Sequence, residues 1–219
     1  MSQMFEIARK NMVINQLMPN KINEESILKI FENTPKENYI DKNSVKNCYL
    51  DKNLDIIEKR GYLKNLHLAQ IIKYSEISKN DKVMHLGGLT GYFSSIISSL
   101  CKQLLVVEEN RELFELLKQN IKKIDNSNIH LFNQRLLDGL LDSCPFDLII
   151  IDGPIYEISD NLKKQLFSDG GRLIFIKKIY DNLGKAYKII RNEDLYSSEY
   201  LFDVMSSYQI QEQQEDFKF

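Results

Sequence analysis

Gly87, Gly88 and Gly91 fall within five positions, behind the apolar run Val83-Met84-His85-Leu86 and ahead of Tyr92-Phe93. Glycines there reach positive φ and let a ligand approach the backbone, and a helix start just beyond offers unpaired N–H groups. That chemistry suits a nucleotide-like ligand; the bland alternative is a tight strand-to-helix turn that holds nothing. Glu108 stands seventeen residues past Gly91, at the end of the run Leu104-Leu105-Val106-Val107. A carboxylate at that place accepts the two hydroxyls of a ribose, whereas an isolated strand-end acid is more often a solvated cap. The dinucleotide pattern G-x-G-x-x-G fails, because with Gly87 as the first glycine the second and third places hold Leu89 and Tyr92. NAD is not expected. Asp152 closes the apolar run Leu148-Ile149-Ile150-Ile151 and points to the crevice where open α/β sheets bind ligands, or else caps the next helix. His85 reads as a histidine at the core edge satisfied by backbone, and His67, in an apolar helical run, as packing. Cys48, Cys101 and Cys144 are far apart and belong to no CxxC or Cys/His cluster, so reduced thiols and no metal are expected.

The elements that position these residues follow from periodicity. Phe5, Ala8, Met12, Val13 and Leu17 recur at helical spacing until Pro19. A second helix is expected to open at Asn23 as cap, with Glu24 and Glu25 in its first turn, and to run to Pro35. Residues 35–61 are polar and rich in Asn, Asp and Lys, so an irregular segment covering the domain is expected there. Helical spacing returns over residues 66–77. Strands are then expected at 82–86, 104–108, 128–132, 147–152 and 172–177, with 186–190 and 200–205 completing the sheet edge. The helix over 111–123 is the best marked between them, with Leu113, Leu116, Leu117 and Ile121 on one face. Repeated βα units of this kind imply an α/β fold with a mostly parallel sheet of seven strands. Residues 209–219 read as a polar tail or edge arm.

Composition bounds the function. With 219 residues, 43% hydrophobic and 27% charged, the chain can bury one good core. One domain overall is expected, with residues 1–80 as a helical, substrate-side segment packed on a ligand-binding core of residues 81–219. Lys plus Arg at 29 against Asp plus Glu at 31 leaves a net charge of −2, without the basic excess that neutralises a phosphate backbone, so nucleic acid is not an expected partner. Glu6, Arg9 and Lys10 interrupt the apolar residues near the start, which argues against a signal peptide or membrane span and for a cytoplasmic location. The oligomeric state is not legible.

The order of these segments resembles a class I methyltransferase, in which the cofactor loop reads acid-x-Gly-x-Gly-x-Gly and Gly87 and Gly91 match the outer glycines. The run Pro145-Phe146-Asp147-Leu148-Ile149-Ile150-Ile151-Asp152-Gly153 is similar to the fourth strand of the protein-L-isoaspartate O-methyltransferases, and Leu166-Phe167-Ser168-Asp169-Gly170-Gly171-Arg172-Leu173 to their Leu-Pro-Gly-Gly-Arg-Leu turn. Ala8-Arg9-Lys10-Asn11-Met12-Val13-Ile14-Asn15-Gln16-Leu17 resembles the opening of the bacterial members, in particular a divergent alphaproteobacterial-type branch whose end resembles Asp216-Phe217-Lys218-Phe219. The resemblance implies a Rossmann-like fold with helices on both faces of the sheet and an N-terminal helical extension. It also implies S-adenosylmethionine as cofactor, and a protein or peptide bearing isoaspartyl residues as substrate, methylated on a carboxylate as a step in protein repair. The cofactor-binding residues it points to are Gly87, Gly88, Gly91, Glu108, Gln134 and Asp152; the substrate side would hold Tyr62, Leu63 and Lys64, with Arg60 beside them.

The departures from the family pattern are specific. His85 and Leu89 stand at the acid and the central glycine of the cofactor loop, Asn133-Gln134-Arg135 replaces the acid expected near adenine, and Leu63 and Asn65 replace the family's serine and proline. No general base or other catalytic residue carries over. Methyl transfer needs none, since an ionised carboxylate is already a nucleophile and alignment supplies much of the rate. Three readings therefore stand open from sequence: an isoaspartyl methyltransferase, a methyltransferase with another acceptor, and a catalytically silent relative kept as a binding or regulatory module.

Overall fold

The computed structural model describes residues 2–124 and 127–210. Helix α1 (Ser2–Met12) runs into a wider π turn (Val13–Leu17) and a 3-10 turn (Met18–Asn20), where Pro19 sits in the first positions. Helix α2 (Glu25–Asn33) follows; its cap position is held by Glu24 rather than Asn23, with no side-chain cap bond. The segment expected to be irregular contains an antiparallel pair, β1 (Leu54–Ile57) and β2 (Arg60–Tyr62), joined by a turn in which Lys59 has φ 58°. Strands of four and three residues carry too little periodicity to read from sequence.

After α3 (Asn65–Ser75) the chain alternates β3 (Lys82–Leu86), α4 (Tyr92–Ser98), β4 (Gln103–Val107), α5 (Arg111–Ile121), β5 (Ile129–Phe132), β6 (Leu148–Ile155), the one-turn α6 (Asp160–Lys163) and β7 (Asp169–Tyr180). It ends in β8 (Leu183–Asn192) and β9 (Leu195–Met205). The seven-stranded sheet has the order β5-β4-β3-β6-β7-β8-β9, parallel from β5 to β7 and antiparallel beyond. The last three strands run longer than expected because they form one continuous meander.

Alternation along the strands divides the core into two layers. Val83, Leu104, Val106, Leu148, Ile150 and Ile174 face one layer, where helices α1 to α5 pack, with Phe31, Leu68, Phe93 and Leu117 among its members. Met84, Leu86, Leu105, Val107, Ile149 and Ile151 face the other, which is thinner and covered by Leu162 of α6 and by Leu136 and Leu140 from short turns. Parallel strands buried on both faces explain the near-continuous apolar runs in the sequence. The first layer is contiguous from Met12 to Val204, so the N-terminal helices share a core with the sheet. No helix among the described residues is long and apolar enough to cross a membrane. The aromatic ending, residues 216–219, lies outside the described residues.

Candidate functional site

The site lies at the carboxyl ends of β3, β4 and β6, where the crossover order changes. Gly87 and Gly91 have φ 96° and 100°, a conformation in which a Cβ is strained. Between them Leu89 takes a left-handed φ of 49°. A Cβ on Gly88 would meet Val106 Cγ1 at 2.5 Å and Leu117 Cδ2 at 2.9 Å, so this glycine lets the turn pack on β4 and α5 rather than making room for a ligand. The turn is tied to β4 by Gly87 N donating to Val107 O at 2.9 Å.

Glu108 is fully enclosed, and both of its oxygens are occupied. Oε2 accepts Leu89 N at 3.0 Å and Oε1 accepts Asn110 N at 3.0 Å. Arg60 then donates both guanidinium nitrogens, Nη1 to Oε1 at 2.7 Å and Nη2 to Oε2 at 2.8 Å. Burial opposes the Arg60 charge, and the Glu108 carboxylate outweighs it, holding the guanidinium above its ordinary pKa. A planar bidentate pair of this kind is the strongest class of charge-assisted hydrogen bond.

Tyr62 anchors the opposite side of the glycine turn. Its hydroxyl accepts Thr90 N at 3.2 Å and Tyr92 N at 3.0 Å, capping the start of α4 from outside, and lies 2.9 Å from Thr90 Oγ1. With both lone pairs taken by amides, the hydroxyl proton goes to Thr90 Oγ1. Burial raises the Tyr62 phenol above its ordinary pKa, so it stays protonated. Beside it Lys36 is fully buried, donating to Asn65 Oδ1 at 3.0 Å, with its ammonium about 5 Å over the rings of Tyr62 (5.2 Å) and Tyr92 (5.1 Å). Desolvation lowers Lys36 to about 7.

On the third side, the enclosed His85 joins Ser94 Oγ to Asp152 Oδ1, at 2.9 Å through Nδ1 and 3.3 Å through Nε2. Its partners are side chains, not the backbone groups expected. His67 stacks on Phe202, and burial lowers it to about 4, so it is neutral packing. Gly87, Gly88, Gly91, Glu108 and Asp152 thus converge, whereas Gln134 turns away and donates Nε2 to Gly139 O at 2.5 Å. Of the substrate-side residues, Tyr62 and Leu63 are each 1% exposed and face the core. Lys64 pairs with Asp51 at 3.5 Å near the surface.

The donor set suits a nucleoside: positive-φ glycines, a buried strand-end carboxylate and a second acid across the crevice. The space does not. The crevice bounded by Arg60, Gly87, Asp152, Gly153 and Ile210 retains about 10 Å³, against the roughly 300–1,000 Å³ of ordinary ligand pockets. Arg60 stands on the carboxylate that a ribose would use, and Ile210 lies over Gly87 and Gly153. Sequence reasoning missed both; Arg60 lies 48 positions from Glu108, and no local pattern signals such a pairing. A cavity of about 560 Å³ adjoins on the far side of Arg60, lined by Glu58, Glu109, Arg135 and Asp138 among others. No cluster among the described residues could hold a metal ion.

Comparison with known proteins converges on one family. A family model described as protein-L-isoaspartate(D-aspartate) O-methyltransferase matches residues 8–205. A protein-L-isoaspartate O-methyltransferase of Koribacter versatilis is 26% identical over 170 residues, covering 78% of this chain and 76% of that one. One from Brucella anthropi is 30% identical over 170 residues, covering 78% and 77%. Among solved structures, a protein-L-isoaspartate O-methyltransferase superposes with a TM-score of 0.77 at 18% identity over 91% of this chain, which spans 65% of that one. The last likeness is one of fold.

Proposed function

Because this chain belongs to the protein-L-isoaspartate(D-aspartate) O-methyltransferase family, we propose that it is an S-adenosylmethionine-dependent methyltransferase acting on a carboxylate of isoaspartyl residues in damaged protein. The observation that carries this is the glycine turn of residues 87–91 set against Glu108, whose carboxylate already takes the Leu89 amide at 3.0 Å. When bound, S-adenosylmethionine supplies an electrophilic methyl group and leaves as S-adenosylhomocysteine. The chain's own residues bind and orient. With Arg60 displaced, Glu108 would offer a buried acceptor at the ribose position, and Asp152 a second acid across the crevice. An ionised acceptor carboxylate needs no base, so positioning rather than proton transfer is what the site must provide. Localisation in the cytoplasm fits this reading.

The bidentate Arg60–Glu108 pair favours a second reading, a silent relative that keeps the fold as a binding or regulatory module. Titration with S-adenosylhomocysteine in a calorimeter, combined with tritiated methyl transfer to an isoaspartyl peptide, separates the two. We expect saturable binding, and transfer to the isoaspartyl peptide but not to its aspartyl counterpart. Absence of both binding and transfer, in the wild type and in the opened variants described next, would leave the silent module.

A further inference from the structure

The chain carries a segment that closes its own crevice. Beyond β9, Gln209 N donates to Lys59 O at 3.0 Å and Ile210 N to Pro154 O at 2.9 Å, so residues 208–210 bridge the β1–β2 turn and the end of β6. Tyr208 anchors the bridge by donating its hydroxyl to Asp55 at 2.6 Å, and Lys178 holds the Gln209 side chain at 3.1 Å. The Ile210 side chain then lies directly on the crevice floor. A Cβ placed on Gly153 would meet its Cδ1 at 2.6 Å, and one on Gly87 would meet the same atom at 3.2 Å and Arg60 Nη2 at 3.4 Å. Arg60 and Ile210 therefore both crowd the space above Gly87.

We propose that Arg60 and residues 208–210 form a built-in occupant of the nucleoside crevice, with the guanidinium standing in for a ribose on Glu108 and Ile210 standing on Gly87 and Gly153. A nucleoside ligand then enters only when Arg60 turns out and the bridge lifts. The adjoining cavity of about 560 Å³ gives the guanidinium somewhere to go, because it shares Arg60 in its wall and presents Glu58 and Glu109 as replacement carboxylates. Beyond the Tyr208 anchor, residues 209–210 are held by two backbone bonds, the Lys178 contact to Gln209 and the Ile210 side chain, all outside the strand ladder, so they can open locally without disturbing the sheet. The identity of the ligand rests on the methyltransferase reading above; the occlusion itself does not.

The test uses hydrogen exchange and titration with S-adenosylhomocysteine on the full chain. Arg60→Ala strands a buried carboxylate and invites misfolding, so the informative variants are Ile210→Gly, which withdraws the plug, and Gln209→Pro, which removes the amide that donates to Lys59. We expect either variant to speed exchange over residues 87–91 about tenfold without ligand, and to tighten S-adenosylhomocysteine binding about tenfold. Added S-adenosylhomocysteine should accelerate exchange of the Gln209 and Ile210 amides in the wild type. Unchanged exchange over residues 87–91 in both variants, or protection of residues 208–210 by bound ligand, overturns the proposal. Faster exchange with no binding in any variant supports the occlusion and refutes the methyltransferase reading instead.

Discussion

Lys36 is the residue whose energetics are most exposed to test. Its folded pKa of about 7 lies below the ordinary value of 10.5 because desolvation by full burial penalises the ammonium. Between those two values the unfolded chain binds a proton that the folded chain has released, so stability rises with pH from about 7 to about 10.5. Below the folded value both states are protonated and the folded state carries the whole cost, about 5 kcal/mol for the full shift. Lys36→Met should flatten that rise, although it leaves Asn65 Oδ1 without its donor. Urea unfolding at several pH values between 6.5 and 9.5 checks this; an undiminished slope in the variant would assign the pH dependence to other groups. The same neighbourhood explains why restoring the family's serine and proline is not a simple repair. Leu63 is core, and the Asn65 side chain both accepts from Lys36 at 3.0 Å and donates to Cys48 O at 3.3 Å. Proline could do neither.

At the scale of elements, the start of α4 depends on a side chain from β2. The helix has no side-chain cap of its own, since Gly91 holds the cap position, and the Tyr62 hydroxyl takes the amides of Thr90 and Tyr92 in its place. Tyr62→Phe removes that acceptor and leaves two buried N–H groups unpaired, which should cost about 2–4 kcal/mol. Thermal and urea unfolding measure the loss. A change below about 0.5 kcal/mol, within the range of an ordinary surface substitution, would mean that the amides find other partners. The short β1–β2 pair is thus a structural part of the glycine turn: β2 supplies Tyr62 to one side of it and Arg60 to the other. The sequence patterns of the turn and of β2 are separate, and nothing in either announces the dependence.

For the molecule as a whole, one buried layer runs from Met12 through the sheet to Val204, so residues 1–80 should not unfold apart from residues 81–210. Urea transitions followed by far-ultraviolet circular dichroism and by tyrosine fluorescence are expected to coincide; two separated midpoints would show an independent N-terminal unit. The sequence by itself determined the α/β class, the seven strands, a helix over residues 111–123 that ends two residues earlier in the structure, and the placing of Gly87, Gly91 and Glu108 at neighbouring strand ends. These are consequences of periodicity and strand order, which operate within a few residues or between successive βα units. Only the tertiary structure decided what the crevice holds. Arg60 reaches Glu108 across 48 positions. His85 reaches Asp152 across 67. Ile210 returns from beyond β9 to lie on Gly87. Each is a long-range contact made by an ordinary residue in an unremarkable local setting. Pairing of this kind is chosen by the assembled surface and its charge balance, not by spacing along the chain.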